Sequence, residues 1–324
     1  MSKPATLSFW KTLRYLGESA AFFPFMTFFR LLGLDAASAV GGFIGRHVFY
    51  RLPPARTARE NLRASYPEKS DEEVEQIVRQ VCDNLGRVVG EYPHLKKLTI
   101  GPAGRIEIFG KEFADAALAS GKGVMFISGH FANWETMPIA ARAVGYDASL
   151  VYRPPNNPFV DRWISRQRGS AGPQEHITKS VTGTRRFFTL LKQGKPVLLL
   201  VDQKTYQGVP VPFFGRDAMT TAAPASFALK LGSLLLPACA ERTKGAHFRV
   251  RVYPPVELTP TGDEKRDVLD LTAKITATME AMVRERPSQW LWIHRRWSKP
   301  GEGKRRHARA GSGVRVEREG SSLT

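Results

Sequence analysis

A histidine that follows a glycine and precedes a glutamate by five positions, in the run Gly129-His130-Phe131-Ala132-Asn133-Trp134-Glu135, is the part of this sequence best equipped for proton transfer. A carboxylate that accepts the proton on one imidazole nitrogen fixes the tautomer and leaves the other nitrogen free to act as a base. The spacing restricts how such a pair could form. Residues five apart on a regular helix lie about 140° apart around its axis. If His130 and Glu135 pair, the histidine therefore sits at the entrance to a helix and not within it, with Gly129 supplying the freedom to turn. A histidine near a glutamate is by itself more often structural than catalytic. Ser128 is a rival nucleophile, but the segment Ile127–Phe131 lacks the Gly-x-Ser-x-Gly elbow, and no triad is apparent downstream. Cys82 and Cys239 show neither an activating pattern nor metal-ligand spacing, and their apolar surroundings predict buried, inert thiols.

The elements around this run decide whether it is placed for chemistry. The apolar stretch Val124-Met125-Phe126-Ile127-Ser128 reads as a short buried strand ending at Gly129. In layered α/β proteins, ligands bind just beyond the carboxyl ends of strands. Further strands are expected at 106–110, 148–153, 196–202, 234–242 and 247–254. Helices are expected at 113–121, 161–169, 180–194, 226–232 and 268–287. That alternation predicts an α/β domain with a layered, mainly parallel central sheet and flanking helices. Upstream, Ser70 followed by Asp71, Glu72 and Glu73 is a helix start, and Val74, Ile77, Val78, Val81 and Leu85 form one apolar face.

The first 52 residues are expected to be a hydrophobic, membrane-anchoring helical segment. Ser19–Phe29 is uncharged and apolar, but a spanning helix needs roughly 20 such residues, a length reached here only by including a charge and Pro24. There is no small-residue cleavage site after a short apolar core, so a removable signal peptide is not expected. Three readings stay open: a marginal transmembrane anchor, helices lying in the membrane interface with Lys11 and Arg14 toward phosphates, or a buried helical hairpin. The aromatic density of Phe9, Trp10, Phe22, Phe23, Phe25, Phe28 and Phe29 favours the membrane. Residues 53–298 form the α/β domain. Residues 299–324, rich in Gly, Ser and Arg, predict a disordered basic tail.

The formal net charge is +18. Such an excess attracts a polyanion, whether nucleic acid, anionic lipid or an acidic carrier protein. No helix-turn-helix, RNA-binding aromatic signature or zinc spacing appears, and the basic residues are spread along the chain, which argues against nucleic acid.

Gly129–Glu135 is an H-x4-[D/E] motif of the glycerolipid acyltransferase kind, and in its detail it resembles the late acyltransferases of lipid A biosynthesis, the lauroyl and myristoyl transferases. Other blocks follow in the same order. Val151–Asp161 resembles the family's Tyr-Arg-Pro block, and Arg168 falls where the family carries a further functional arginine. Val201–Gly215 resembles its Asp-containing strand end and Phe-Phe-Gly turn, and Pro287–Trp297 its carboxyl-terminal signature. The likeness runs over roughly residues 10–300.

This resemblance implies direct transfer of a lauroyl- or myristoyl-length chain from a thioester, without an acyl-enzyme. His130 would take the proton of an acceptor hydroxyl, and Glu135 would orient the imidazole. Arg153 and Arg168 would hold the acceptor, an anionic, phosphorylated lipid A precursor, since guanidinium forks suit phosphate and carboxylate. Asp202 would orient one of these arginines or shape the site, or else act as a turn residue at a strand end. Asn133 and Trp134 would shape the pocket. His294, Arg295 and Arg296, which follow a Trp-rich, strand-like run, are structural or head-group contacts. The implied donor is an acyl carrier protein, with no cofactor or metal, at the cytoplasmic face of the bacterial inner membrane. Acylation of another glycolipid or aminolipid, from a carrier protein or acyl-CoA, is the alternative.

Overall fold

The computed structural model describes residues 9–172 and 175–298; the expected basic tail at 299–324 lies outside the described residues. Four helices come first. α1 (Phe9–Leu32) and α2 (Leu34–His47) are parted at Gly33, whose φ of +76° breaks the helical path. α3 (Pro53–Ser65) starts at the paired prolines, as suits residues whose missing N–H has no partner in a first turn. α4 (Asp71–Glu91) opens on a reciprocal cap, with Glu73 N–H donating to Ser70 Oγ at 3.2 Å and Ser70 N–H to Glu73 Oε2 at 2.8 Å.

A 3₁₀ segment, Tyr92–Lys97, leads into the layered part. There follow β1 (Ile106–Phe109), α5 (Lys111–Ala119), β2 (Val124–Ser128), α6 (Thr136–Ala143), β3 (Ser149–Tyr152) and α7 (Pro158–Ala171). Next come β4 (His176–Thr178), α8 (Val181–Lys192), β5 (Pro196–Leu200), and the hairpin of β6 (Val209–Phe213) and β7 (Arg216–Thr220). α9 (Ala223–Leu231), β8 (Leu234–Lys244), β9 (His247–Val252) and α10 (Glu264–Glu285) complete the set. The sheet runs β1-β9-β8-β2-β5-β3-β4, and every neighbouring pair is parallel except β8 with β9. The expected mainly parallel sheet with flanking helices is therefore present. β2 sits at its centre with all five residues buried, as a strand covered on both faces must be.

Several local features differ from the sequence reading, the unexpected β6–β7 hairpin among them. The Trp-rich run after α10 is not a strand: it is a 3₁₀ turn, Pro287–Gln289, followed by a single bridge between Trp290 and Phe131. The short strand β4 was not expected; at three residues it leaves almost no periodic signal.

The amino-terminal helices bear on the three readings left open by the sequence. Among the described residues no helix is long and apolar enough to cross a membrane. Nor is α1 a buried hairpin arm, because only Tyr15, Ser19, Met26 and Phe29 of it are buried. Phe9, Leu13, Leu16, Phe23 and Leu31 stay exposed, and successive steps of four, three, seven and eight residues put them in a row along one side. α2 is clamped against α4 through glycines. A Cβ at Gly41 would lie 2.2 Å from the Gly86 carbonyl oxygen, and one at Gly86 would lie 2.0 Å from that of Gly41. Gly45 meets Cys82, and Gly90 meets Ala37, in the same way. Spacings of four residues on both helices make a ridge of bare backbone that lets the axes approach closely.

Candidate active site

β2 and β5 are adjacent parallel strands whose last residues, Ser128 and Leu200, are register partners. His130 and Asp202 each lie two residues beyond those ends, so the sheet itself brings them together. His130 Nδ1 is 2.9 Å from Asp202 Oδ1. Asp202 Oδ2 also accepts the backbone N–H of His130 at 2.7 Å and the indole N–H of Trp290 at 2.9 Å. Burial opposes the charged form of Asp202, but the imidazole, the two N–H donors and their fixed geometry outweigh it. They hold the carboxyl well below the usual carboxylate range. Asp202, and not Glu135, is thus the ring partner of His130.

Glu135 is engaged elsewhere. It stands just before α6 without a side-chain cap bond, and the loop before it carries His130 toward β5 and away from that helix. Its buried carboxylate accepts Arg168 Nη2 at 2.6 Å, Arg168 Nε at 2.9 Å, the Tyr92 hydroxyl at 2.8 Å and the Trp134 indole N–H at 3.1 Å. Burial alone would raise this carboxyl; Arg168 first, then the hydrogen bonds, bring it below its ordinary value. Arg168 is held charged by the same pair in spite of its own burial. Burial and the neighbouring Glu135 charge push the Tyr92 hydroxyl well up, so it is a donor here and not a phenolate.

The loop between the two carboxylates is held from several sides. Ala132 has φ +45°, an uncommon value for a residue with a side chain. Its N–H donates to the Gln289 carbonyl at 2.8 Å, and its own carbonyl accepts Asn84 Nδ2 at 3.1 Å. Leu291 N–H donates to the His130 carbonyl at 3.1 Å. Asn133 is fully buried: its Oδ1 accepts Glu135 N–H at 3.1 Å, and its Nδ2 donates to Glu91 Oε2 at 2.9 Å. Glu91, also fully buried, pairs with both terminal nitrogens of Arg242 and accepts Ser38 Oγ at 2.7 Å. Trp134 places its ring edge-on to His130, with centroids 5.0 Å apart.

His130 lines a cavity of about 340 Å³. Nδ1 faces Asp202, leaving Nε2 near the Gln203 amide at 3.5 Å. Away from the histidine the walls become apolar, with Phe126, Met137, Pro138, Leu150 and Leu198. Phe126, Met137 and Leu198 also border a small, almost wholly apolar pocket of about 30 Å³, backed by Tyr146. Arg153 and Lys179 stand exposed at the rim. The cavity therefore gathers His130, Glu135, Trp134, Arg153 and Arg168, while Asp202 and Asn133 hold its frame from behind. Ser128 is buried beneath it, its hydroxyl turned to the Gly129 carbonyl at 3.4 Å. His294 joins the lining. Arg296 instead is buried in the scaffold, donating to the Met219 carbonyl at 3.0 Å, and burial pushes it down to about 10.

Tyr92, Trp290, Glu91, Arg242 and Gln203 did not stand out in the sequence. For Asp202 a signal existed: two apolar strands of equal length, each followed by a polar residue two positions past its end. Among the described residues, no three His, Cys, Asp or Glu side chains gather as metal ligands would.

A histidine held by a buried carboxylate, at the mouth of a cavity that turns apolar, is an arrangement that can take a proton from a substrate with a hydrocarbon part. The chain belongs to the bacterial lipid A biosynthesis acyltransferase family, whose model matches residues 7–299. It is 27% identical to the lipid A biosynthesis lauroyltransferase of Escherichia coli K12, over 77% of this chain and 80% of that one. It is 24% identical to the palmitoleoyltransferase of lipid A biosynthesis from the same strain, over 74% of this chain and 77% of the other. A phosphatidylinositol mannoside acyltransferase of Mycobacterium tuberculosis CDC 1551 is 26% identical, over 68% of this chain and 62% of its own. The protein is accordingly an acyltransferase.

Proposed function

We propose that this acyltransferase moves a lauroyl- or myristoyl-length chain from an acyl carrier protein thioester to a hydroxyl of an anionic lipid A precursor. The acceptor O–H gives its proton to His130 Nε2 as its oxygen attacks the thioester carbonyl. The tetrahedral adduct collapses, expelling the carrier thiolate, which takes the proton back from the imidazolium. No acyl-enzyme forms. Asp202 fixes the Nδ1–H tautomer and stabilises the imidazolium. General-base catalysis of this kind contributes about 10²–10⁴-fold. Arg153 and Lys179 at the rim meet the acceptor's anionic groups, and the apolar walls down to Phe126, Met137 and Leu198 take the acyl chain. Glu135 acts through Arg168 and Trp134, positioning the wall beside the histidine.

The observation that carries this reading is the His130–Asp202 pair at the mouth of a cavity with apolar depths. The exposed row on α1 supports work at a membrane surface, with the helix lying in the interface at the cytoplasmic face of the inner membrane. The relative named for phosphatidylinositol mannoside favours a second reading, another glycolipid acceptor. Mass spectrometry of lipids from a deletion strain separates the two: loss of a secondary lipid A chain supports the first, and an unchanged lipid A sinks it. Purified enzyme with carriers loaded with chains of graded length then fixes the donor.

A further inference from the structure

We propose that the cleft between the end of α1, the segment Tyr92–Lys97 and α7 binds the phosphate of an anionic membrane phospholipid. The proposal rests on the interfacial placement of α1 given above. The cleft measures about 430 Å³ and is lined by Arg30, Lys96, Lys97, Arg166, Gln167 and Ser170, sharing no lining residue with the catalytic cavity. Its four cations are exposed, and none of them makes an ion pair with a carboxylate among the described residues. That sets them apart from most arginines of the first four helices. On α1 to α4, Arg14, Arg46, Arg56, Arg59, Arg63 and Arg87 each reach an Asp or Glu. Four like charges around one concavity repel one another, and a bound anion relieves that repulsion. The amide of Gln167 and the hydroxyl of Ser170 add neutral donors.

The back of the cleft is fixed. His94 is buried, and its Nε2–H donates to the Phe29 carbonyl at 2.9 Å, tying the 3₁₀ segment to α1. Burial, together with Lys97 and Arg30, holds His94 toward its neutral form.

Position selects the occupant. Leu31, 81% exposed, belongs to the apolar row, and Arg30 is the next residue back around the helix. A phospholipid with its phosphate in the cleft has its chains beside that row. The acceptor's anionic groups have their own cations, Arg153 and Lys179, at the catalytic cavity.

The test is flotation of the full chain with vesicles of phosphatidylcholine alone or mixed with phosphatidylglycerol. A triple variant, Arg30→Gln/Lys97→Gln/Arg166→Gln, is compared with a control of equal charge, Arg185→Gln/Lys192→Gln/Lys230→Gln, on α8 and α9. The expected result is loss of about tenfold or more in partition to the anionic vesicles for the cleft variant, with neutral-vesicle binding unchanged and the control near wild type. Equal losses in both variants, or no loss in the cleft variant, overturn the proposal. So does a raised KM of the cleft variant for the acceptor in uncharged micelles, or for the acyl carrier protein, since either assigns the cleft to another ligand. Wild-type protein that floats with neither vesicle sinks the interfacial reading of α1 along with the cleft. Equal flotation with both vesicles sinks the cleft alone.

Discussion

The two carboxylates that flank the His130 loop are both buried and both held below their ordinary values, yet they are built for opposite purposes. Asp202 faces an imidazole and two N–H donors; Glu135 faces a guanidinium, a phenol and an indole. An imidazole can gain and lose a proton near neutrality, and a guanidinium cannot. The first cluster can therefore take part in a proton cycle, while the second is a permanent ion pair that keeps its neighbours in place. The glutamate of the H-x4-[D/E] motif belongs to the rigid cluster, and the aspartate after β5 to the one that can cycle a proton, the reactive cluster of the proposed mechanism.

The sharpest way to break this contrast is to remove each cluster's centre. His130→Ala should lower acyl transfer by about 10²–10⁴-fold while leaving the circular dichroism spectrum and melting temperature near wild type. Asp202→Asn should lower kcat by a similar order, because an amide cannot accept from the ring and both N–H donors in the same geometry. Full turnover in either, measured by mass spectrometry of the acceptor, would remove the base from the mechanism.

Glu135→Gln should act on stability before chemistry. It leaves Arg168 buried without its counter-charge, a loss of about 3–5 kcal/mol by the general behaviour of broken buried pairs. Urea unfolding reads this directly. Glu135→Gln/Arg168→Met should recover part of the stability, since no isolated charge remains. A Glu135→Gln protein as stable as wild type, but with activity as low as His130→Ala, would move Glu135 into the reactive cluster.

A smaller effect is expected at the support behind the rigid cluster. The α2–α4 contact fixes Glu91 and, through Asn133, the loop that ends at Glu135. Gly86→Ala inserts a methyl where the Gly41 carbonyl oxygen stands 2.0 Å away, so the helices must part. About 1–3 kcal/mol of destabilisation should follow, with a fall in activity only as the loop loosens. Gly17→Ala, where nothing lies within 4 Å, is the matching control and should not destabilise the protein.

How much of this was legible in the sequence follows from the range of each interaction. β2 and β5 announce themselves as apolar runs, and His130 follows directly from the first. The cap at Ser70 is local and was plain to read. The partner of His130 was not, because it depends on which strands lie side by side, and that order is set by packing across the whole sheet. Glu135 stands five residues from His130 in sequence, and local spacing favoured it. The tertiary contact with Arg168, 33 residues on, won instead. The glycines at 41, 45, 86 and 90 have a visible spacing of four, but nothing local says that the two runs meet. Arg242 and Trp290 reach the loop from the far end of the chain and leave no local trace.

The finest distinction between the clusters is in acid. Both carboxyls have folded values below those of the unfolded chain, ordinarily 4.5 for Glu135 and 3.8 for Asp202. A lowered carboxyl contributes stability that is fully present above its unfolded value and is lost as pH falls through its folded value. The share contributed by these two carboxyls should therefore hold steady down to about pH 4.5 and decline below it, whereas the buried histidines, His94 among them, draw the total down from about pH 6.5. Subtracting the curve of Glu135→Gln/Arg168→Met from that of wild type isolates the share of the Glu135–Arg168 pair from that of the remaining titrating groups, and this difference should shrink as pH falls. Asp202 is held further down, so its own share, read against Asp202→Asn, should persist to lower pH. If the two difference curves fall together, the clusters share one network and the division between a reactive and a rigid carboxylate fails.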